Sequence, residues 1–572
     1  MKILSIQIQK FRSIDNMKIS LGQIMAIVGA NNTGKSHILR ALNAFFNFDD
    51  EKEFFTNQDH AFTLKSRPKI TICMENILPS DGVDPRYIYN DKLLVRLTYR
   101  WDRKNPYYDV IVNNISIPIS IEEFGTIFEK FRYIYVPVVR NYDEAIMGTS
   151  GIANRLLNAV LERQIANRNT IQSFVDRLAS KIKSTVFLNA VSDIKKYYPL
   201  DMIDFTVETT GFDVVRAILS NASLHLIEKS QKHEINNCGS GIQSAFYFAI
   251  SMALAMEEGI NFLVGIEEPE LNMHPQAQRQ LIDTLKDTTR YPKTQFMLTT
   301  HSTVIIDKLG HSSILLCKKI RGTSRDIVTE GTQIPNDFFQ AYQMTEERYA
   351  NFYQYKNSDF FFSNYIIMAE SSIDCNVITD LLLKYGINIE EKAISILPMD
   401  GERNIKYPYS LAKELKIPFL CIVDRDVFQP YINNDRKNSL GEDGIPLYRD
   451  EKKDSSPIFD IINETDANDI ICLFKEGKYN DVLEKLKEYK IISMRYALEV
   501  DLVQTPYYCN AICDLLHLPA AQRNMTHLLK DRSKQIKDYN IISSALNSGT
   551  WANLPKSYKQ IISYVRNMIN ID

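Results

Sequence analysis

The sequence predicts a multidomain α/β protein, and three observations carry that expectation. A glycine-rich stretch, Gly29-Ala30-Asn31-Asn32-Thr33-Gly34-Lys35-Ser36, lies between an apolar run, Ile24 to Val28, and a helical pattern, Ile38-Leu39-Ala41-Leu42. A second apolar run, Ile260 to Ile266, ends in Glu267-Glu268-Pro269-Glu270, and a third ends in Thr299-Thr300-His301-Ser302. After about residue 360 strands and helices alternate again, the pattern that builds a parallel sheet.

The 572 residues are enough for about three or four compact units. The expected division is 1–150, a helical insertion at 151–230, 231–345, a second α/β unit at 346–540 and a helical tail at 541–572. With 45% apolar residues, 24% charged residues and a net charge of −3, the chain is neither disordered nor globally basic, so a nucleic-acid surface must be a local patch. No apolar run approaches the roughly 20 residues of a membrane span, and the start, Met1-Lys2-Ile3-Leu4-Ser5, alternates like a strand rather than a signal peptide. A cytoplasmic protein with no membrane partner is expected. The 8 cysteines contain no Cys-x-x-Cys pair and read as free thiols.

Taken in order, residues 1–28 read as two short strands about Phe11-Arg12-Ser13, then the strand that feeds the glycine-rich loop. That loop matches G-x-x-x-x-G-K-[ST] with the correct flanks. Gly29, Asn32 and Gly34 let backbone N–H groups approach phosphate oxygens, the helix start adds its dipole, Lys35 reaches the β/γ-phosphates and Ser36 ligates Mg²⁺. Alternation at Lys69 to Met74, Leu93 to Tyr99 and Tyr107 to Ile119 predicts a β-rich insert with a turn at Asn113-Asn114. Phe131 to Val139 is an apolar strand. Helical spacing between Ile152 and Ile194 predicts an inserted arm, either a solvated face or a subunit contact. A glycine-centred turn, Cys238-Gly239-Ser240-Gly241, precedes a helix from Ala245 to Met256.

The acidic strand end supplies what ATP hydrolysis needs: Glu267 on the metal side opposite Ser36, and Glu268 to orient the attacking water. His301, after the next strand, is placed to report on the γ-phosphate. Phe11-Arg12-Ser13, the glycine-rich loop, the turn at Ser240, I-E-E-P-E-L-N-M-H-P and T-T-H-S together resemble the ABC-type ATPases of the RecF and structural-maintenance-of-chromosomes class. The resemblance implies ATP as cofactor and a head-to-head homodimer or higher homo-oligomer in which Ser240 and Gly241 contact ATP held by a second subunit. Glu267 departs from the Asp common in that class, and no motif marks its Q-loop glutamine, for which Gln58 stands as a guess.

In the second α/β unit, Asn364 to Ala369 runs into Glu370, and Pro418 to Val423 runs into Asp424-Arg425-Asp426. Strand ends of a parallel sheet share one edge, so Glu370, Asp424 and Asp426 should meet there, with Asp374 joining from the next helix start. Convergent carboxylates repel unless a hard divalent cation, Mg²⁺ or Mn²⁺, holds them. A haloacid-dehalogenase-like phosphatase also uses Asp-x-Asp, but its motif continues to Thr or Val where this chain has Phe428. The region resembles a TOPRIM domain, with Glu370 and the Asp424/Asp426 pair at the family's positions and Ser371 where Gly is common. An ABC-type ATPase followed by TOPRIM resembles the OLD (overcoming lysogenization defect) family of endonucleases, which includes the nuclease subunit of the Gabija phage-defence system.

That resemblance implies a two-metal site completed by a later acidic pair, Glu499 and Asp501, and a lysine, Lys530, with Lys534 and Lys537 competing in the basic stretch from Arg523 to Lys537. It implies an ATP-regulated DNA endonuclease in anti-phage defence, with a helicase or a reverse transcriptase as companion. A non-catalytic ATP-driven DNA clamp is the rival, supported by Ser371, and a topoisomerase or primase would share the TOPRIM carboxylates.

Overall fold

The computed structural model describes residues 1–55, 62–63, 66–100, 105–138, 260–287, 289, 291–322, 327–345, 358–433 and 435–570, with short pieces between 173 and 253. Two compact units emerge. One comprises Met1–Leu309 with Cys317–Gly331, the other Gly310–Leu316 with Thr332–Asp572. The division thus falls near residue 331 rather than at 345. No separate tail begins at 541 either, because Ile542, Leu546, Tyr558, Ile561 and Val565 share one core with Ile367 and Leu420. The expected helical arm at 151–230 lies almost wholly outside the described residues.

The first unit is built on a 13-stranded sheet. Its strands are β1 Lys2–Phe11, β2 Ile14–Ser20, β3 Ile24–Val28, β4 Lys69–Glu75, β5 Ile88–Tyr89, β6 Lys92–Thr98, β7 Tyr107–Val112, β8 Ile115–Ile119 and β9 Phe131–Val136. After the separate hairpin β10 His225–Glu228 and β11 Gln231–Glu234 come β12 Asn261–Glu267, β13 Thr294–Thr299, β14 Ile314–Ile320 and β15 Val328–Gln333. The order is β8-β7-β6-β4-β1-β2-β15-β14-β3-β13-β12-β9, with β5 beside β6. One wing is antiparallel, so the expected β-rich insert continues the main sheet. Its turn at Asn113 and Asn114 has φ of 48° and 64°, the left-handed pair that a tight hairpin needs.

At the other end β9, β12, β13 and β3 are parallel, and every residue from Ile24 to Val28 and from Phe262 to Ile266 is buried. Apolar runs without alternation form such strands because both faces are covered. Parallel register aligns Ile27 with Thr299 and Thr299 with Glu267, so three loops leave one sheet edge together. At the opposite end of β13, Gln295 ties in β1: its side chain accepts from Ile3 N at 2.8 Å and donates to Ile3 O at 2.9 Å. The helix Lys35–Phe46 buries Ile38, Leu39, Leu42 and Phe45.

The second unit holds a four-stranded parallel sheet ordered β17-β16-β18-β19: β16 Tyr365–Ala369, β17 Ile394–Pro398, β18 Phe419–Val423 and β19 Ile491–Ser493. The helix Ser372–Lys384 buries Val377, Ile378, Leu381 and Leu382, each worth about 1.5–3 kcal/mol of apolar burial. It starts at Ser371 because Ser371 and Asp374 form a reciprocal capping box, with Ser371 N donating to Asp374 Oδ2 at 2.9 Å.

Candidate functional site

In the first unit the phosphate loop is closed by its own residues. Gly29 has φ of 141°, and a Cβ there would sit 2.2 Å from Cys317 O; Gly34, at φ 95°, opens the helix. Lys35 Nζ donates to Gly29 O at 3.0 Å and Ala30 O at 2.9 Å, arching over the loop. Burial lowers its pKa, partly offset by Glu268 and Glu270. Ser13 and Thr329 brace the loop from outside: their hydroxyls are 2.6 Å apart, Ser13 Oγ lies 2.9 Å from His37 Nδ1, and Thr329 donates to Thr33 O at 2.8 Å. Ser36 is exposed at the helix start.

Glu268 leaves the acidic strand end in a left-handed conformation, φ 45°, with its N–H on Thr299 O at 3.0 Å. That turn brings its carboxylate to 3.9 Å from His301 Nε2. Burial and then Lys35 lower the His301 pKa, against the pull of Glu268. Glu267 instead accepts from Val138 N at 3.4 Å beside the Tyr135 hydroxyl. A third acid, not singled out from the sequence, sets the loop: Glu270 Oε1 accepts from Thr300 Oγ1 at 2.8 Å and His301 N at 2.7 Å. Its raised pKa comes first from burial. Lys35, Glu268 and His301 therefore lie together, whereas Gln58, Ser240 and Gly241 lie outside the described residues.

The second unit gathers Glu370, Asp424 and Asp426, whose ligand oxygens lie within 4.8 Å of one another. β16 and β18 are adjacent and parallel, so their last residues deliver the acids to one edge. Among the described residues no hydrogen-bond donor reaches the buried Glu370 Oε2 and Asp426 Oδ1. Burial and the neighbouring carboxylates push Glu370 up to about 7 and raise Asp424. Burial also raises Asp426, against the pull of Lys453. Such oxygens suit a divalent cation, which would replace proton and repulsion alike.

Asp374 is close enough to raise Glu370 and Asp424, but its Oδ2 is engaged by Ser371 N and Oγ. Glu499 also acts on Asp424; it is buried against Arg436, with Lys537 Nζ at 3.4 Å. Although burial opposes it, these two cations hold Glu499 below the usual carboxylate range.

Asp501 is a structural anchor instead. Arg495 N, Tyr496 N and Ser557 Oγ donate to its two oxygens at 2.8, 2.9 and 2.7 Å. Glu499 and Asp501 sit two apart on the helix Leu498–Val503, a spacing that points side chains to different faces. Lys530 is exposed, its stem against the Gly444 turn, and the lysine brought to Glu499 is Lys537.

Four side chains at this edge went unnoticed in the sequence. Lys453 Nζ donates to Glu402 at 2.6 and 2.7 Å and to Asp426 O at 2.9 Å, Tyr431 hydrogen-bonds Asp426, and Arg436 pairs with Glu499. Three of the four lie on the segment between β18 and β19, where no spacing rule points back to the strand end.

A phosphate loop with an acidic strand end and a separate carboxylate cluster on a parallel sheet define an ATPase joined to a metal-binding domain. Comparison with known proteins gives the same two parts: the AAA ATPase domain matches residues 1–92 and 149–306, and the overcoming lysogenization defect protein-like TOPRIM domain matches residues 361–426. The two matches, with the relatives named below, support an ATPase–TOPRIM nuclease of the OLD type.

Among relatives, the OLD nuclease of Thermus scotoductus is 22% identical over 446 residues, covering 74% of this chain and 82% of that protein. The Old nuclease of Escherichia phage P2 is 21% identical, covering 77% and 80%. The endonuclease GajA of Bacillus cereus strain HuB5-5 is 28% identical over 58% of this chain, and the match spans 46% of GajA, less than half its length. Among solved structures, the SMC head domain from Thermotoga maritima matches 59% of this chain and all of itself, at 12% identity and a TM-score of 0.31. Among the described residues no helix is long and apolar enough to cross a membrane.

Proposed function

We propose that this protein is an ATP-regulated, divalent-metal-dependent DNA endonuclease of anti-phage defence, and that its second unit cuts. The observation that carries the reading is the Glu370, Asp424, Asp426 cluster, two of whose buried oxygens lack donors among the described residues. Glu370, Asp424 and Asp426 would hold one Mg²⁺ or Mn²⁺, while Asp374 and Glu499 are the acids at hand for a second position. Bound cations supply activation of water and charge stabilisation of the leaving oxygen. Lys537, rather than Lys530, is the lysine to neutralise developing charge, since it already faces Glu499. Lys453 fixes the Asp426 backbone and Glu402, so the cluster is held from behind.

In the first unit Lys35 and Ser36 bind ATP and Mg²⁺, Glu268 orients water and His301 reads the γ-phosphate. Two copies pair around nucleotide, with Ser240 and Gly241 of one completing the site of the other. A helicase or a reverse transcriptase is the companion to seek in neighbouring genes, and the cytoplasm is where this chemistry meets phage DNA.

The deciding experiment offers linear and supercoiled DNA with Mg²⁺ or Mn²⁺, with and without ATP. Replacing both Asp424 and Asp426 by Ala is expected to lower cutting by about 1,000-fold or more and to leave ATP turnover intact. Cutting equal to the parent's under the parent's best conditions removes the second unit from the chemistry.

A further inference from the structure

The segment from Pro430 to Arg449 forms a hairpin closed on itself. Arg449 N donates to Pro430 O at 2.9 Å, Ile432 N to Leu447 O at 3.1 Å and Leu447 N to Ser439 O at 2.8 Å. Tyr431 and Tyr448 pair across it with ring centroids 5.0 Å apart. Near its base Arg425 lies 4.6 Å above the Tyr448 ring, and Gln429 Nε2 donates to Arg449 O at 3.0 Å. Such a hairpin carries its side chains as one piece, so the position of Arg436 is tied to that of Tyr431 at the cluster.

It places Arg436 on Glu499, with the arginine side chain 17% and the carboxylate 9% exposed. Lys537 reaches the same oxygen, Oε1, at 3.4 Å. The acids of this edge are therefore in two electrostatic conditions. Glu370 and Asp426 present buried oxygens without donors among the described residues, while Glu499 is compensated twice over. A divalent ion brought to Glu499 would stand beside a guanidinium in a poorly solvated place, where like charges repel more strongly than at a surface. Cation and arginine compete for one carboxylate.

We propose that Arg436 gates the second divalent position: in the free protein it holds Glu499, and a DNA backbone phosphate draws the guanidinium away and releases Glu499 to a second cation. Arginine suits the exchange because its planar fork of N–H groups matches carboxylate and phosphate equally. The proposal rests on the nuclease reading and adds an order of events: one cation, then DNA, then the other cation. A protein loaded in that order keeps the incomplete site from attacking whatever polymer it first meets.

The test counts Mn²⁺ bound to the nucleotide-free full chain by electron paramagnetic resonance, with and without a short phosphorothioate duplex that resists cutting. The parent is expected to bind one tight ion alone and two with the duplex. Arg436→Gln should bind two without DNA, Arg436→Lys should stay at one because the charge remains, and Glu499→Gln should stay at one with or without the duplex. Two tight ions on the parent without DNA, or a folded Arg436→Gln that stays at one, overturns the gate. Should Arg436→Gln fail to fold, a second ion on Glu499→Gln with the duplex overturns it equally. A folded parent that binds no Mn²⁺ brings down the metal-site reading itself, a failure visible separately from that of the gate.

Discussion

The phosphate loop and the carboxylate cluster both sit where parallel strands end, yet their charges are handled in opposite ways. Lys35 is satisfied by Gly29 O and Ala30 O, and the loop around it is braced by Ser13 and Thr329. Glu370, Asp424 and Asp426 are pressed together, with two of their buried oxygens lacking donors among the described residues. A loop that satisfies its own cation keeps its shape without a ligand. A cluster of unrelieved anions stores repulsion that a cation then discharges. The first site is shaped by its own contacts; the second is shaped by the charge it gathers.

The largest way to break this contrast is Lys35→Ala. ATP turnover should fall at least about 100-fold through loss of charge-assisted contacts to phosphate, while Mn²⁺-dependent cutting without ATP survives. Glu268→Gln should lose turnover and still bind ATP, as equilibrium nucleotide binding would show. Normal hydrolysis by Lys35→Ala refutes the assignment. Mixing Lys35→Ala with Ser240→Ala chains should restore one composite site if the two copies share it.

Next in size is the relief of repulsion. Asp424→Asn should raise the melting temperature of chelator-treated protein, by roughly 2–4 °C for each kcal/mol of repulsion removed, and abolish the further rise that Mn²⁺ gives the parent. A lower melting temperature would mean that the acid is stabilising where it stands.

The same repulsion sets a pH dependence. Glu370 has a folded pKa of about 7, above its unfolded value, so between the two the folded state holds the extra proton. Stability of the metal-free protein should fall as pH rises toward and through 7, and Mn²⁺ affinity should climb over the same interval. Urea melts at pH 5.5 and 8 with chelator check the first part. A Glu370→Gln variant should flatten the slope.

The smallest effect belongs to the capping box. Ser371→Ala removes the cap of the helix Ser372–Lys384, at a cost of about 1 kcal/mol, and takes away one of the two donors on Asp374 Oδ2, the backbone N–H remaining. Melting should fall by a few degrees. The rival clamp reading takes Ser371 as a sign of decay; its hydroxyl instead orders an acid at the site's edge.

Much of this is legible in the sequence because apolar runs fix strands, and the residues after neighbouring parallel strands land on one edge. Glu268, His301, Glu370, Asp424 and Asp426 are found that way. Asp501 enters through the family resemblance alone, and helical spacing already turns it away from the face of Glu499, a test that needs residue numbers alone. Lys537 cannot be separated from Lys530 without knowing that the helix Met525–Asp531 turns Lys530 outward. Arg436, Tyr431 and Lys453 are invisible for another reason. They reach the acids from a loop whose path is set by its own turns, and such contacts leave no periodic trace.

The braces carry a consequence for when the protein acquires its chemistry. Thr329 closes on Thr33 across 296 residues of chain, and the helix bearing Glu499 is clamped by Tyr558 on Leu498 O, 60 residues later. A growing polypeptide therefore displays its phosphate loop long before that loop is buttressed, and finishes the support of Glu499 only when the helix Lys556–Asn570 has been made. Neither the ATP site nor the acidic edge is complete on a half-synthesised chain, so whatever danger this protein poses to DNA matures late in its synthesis.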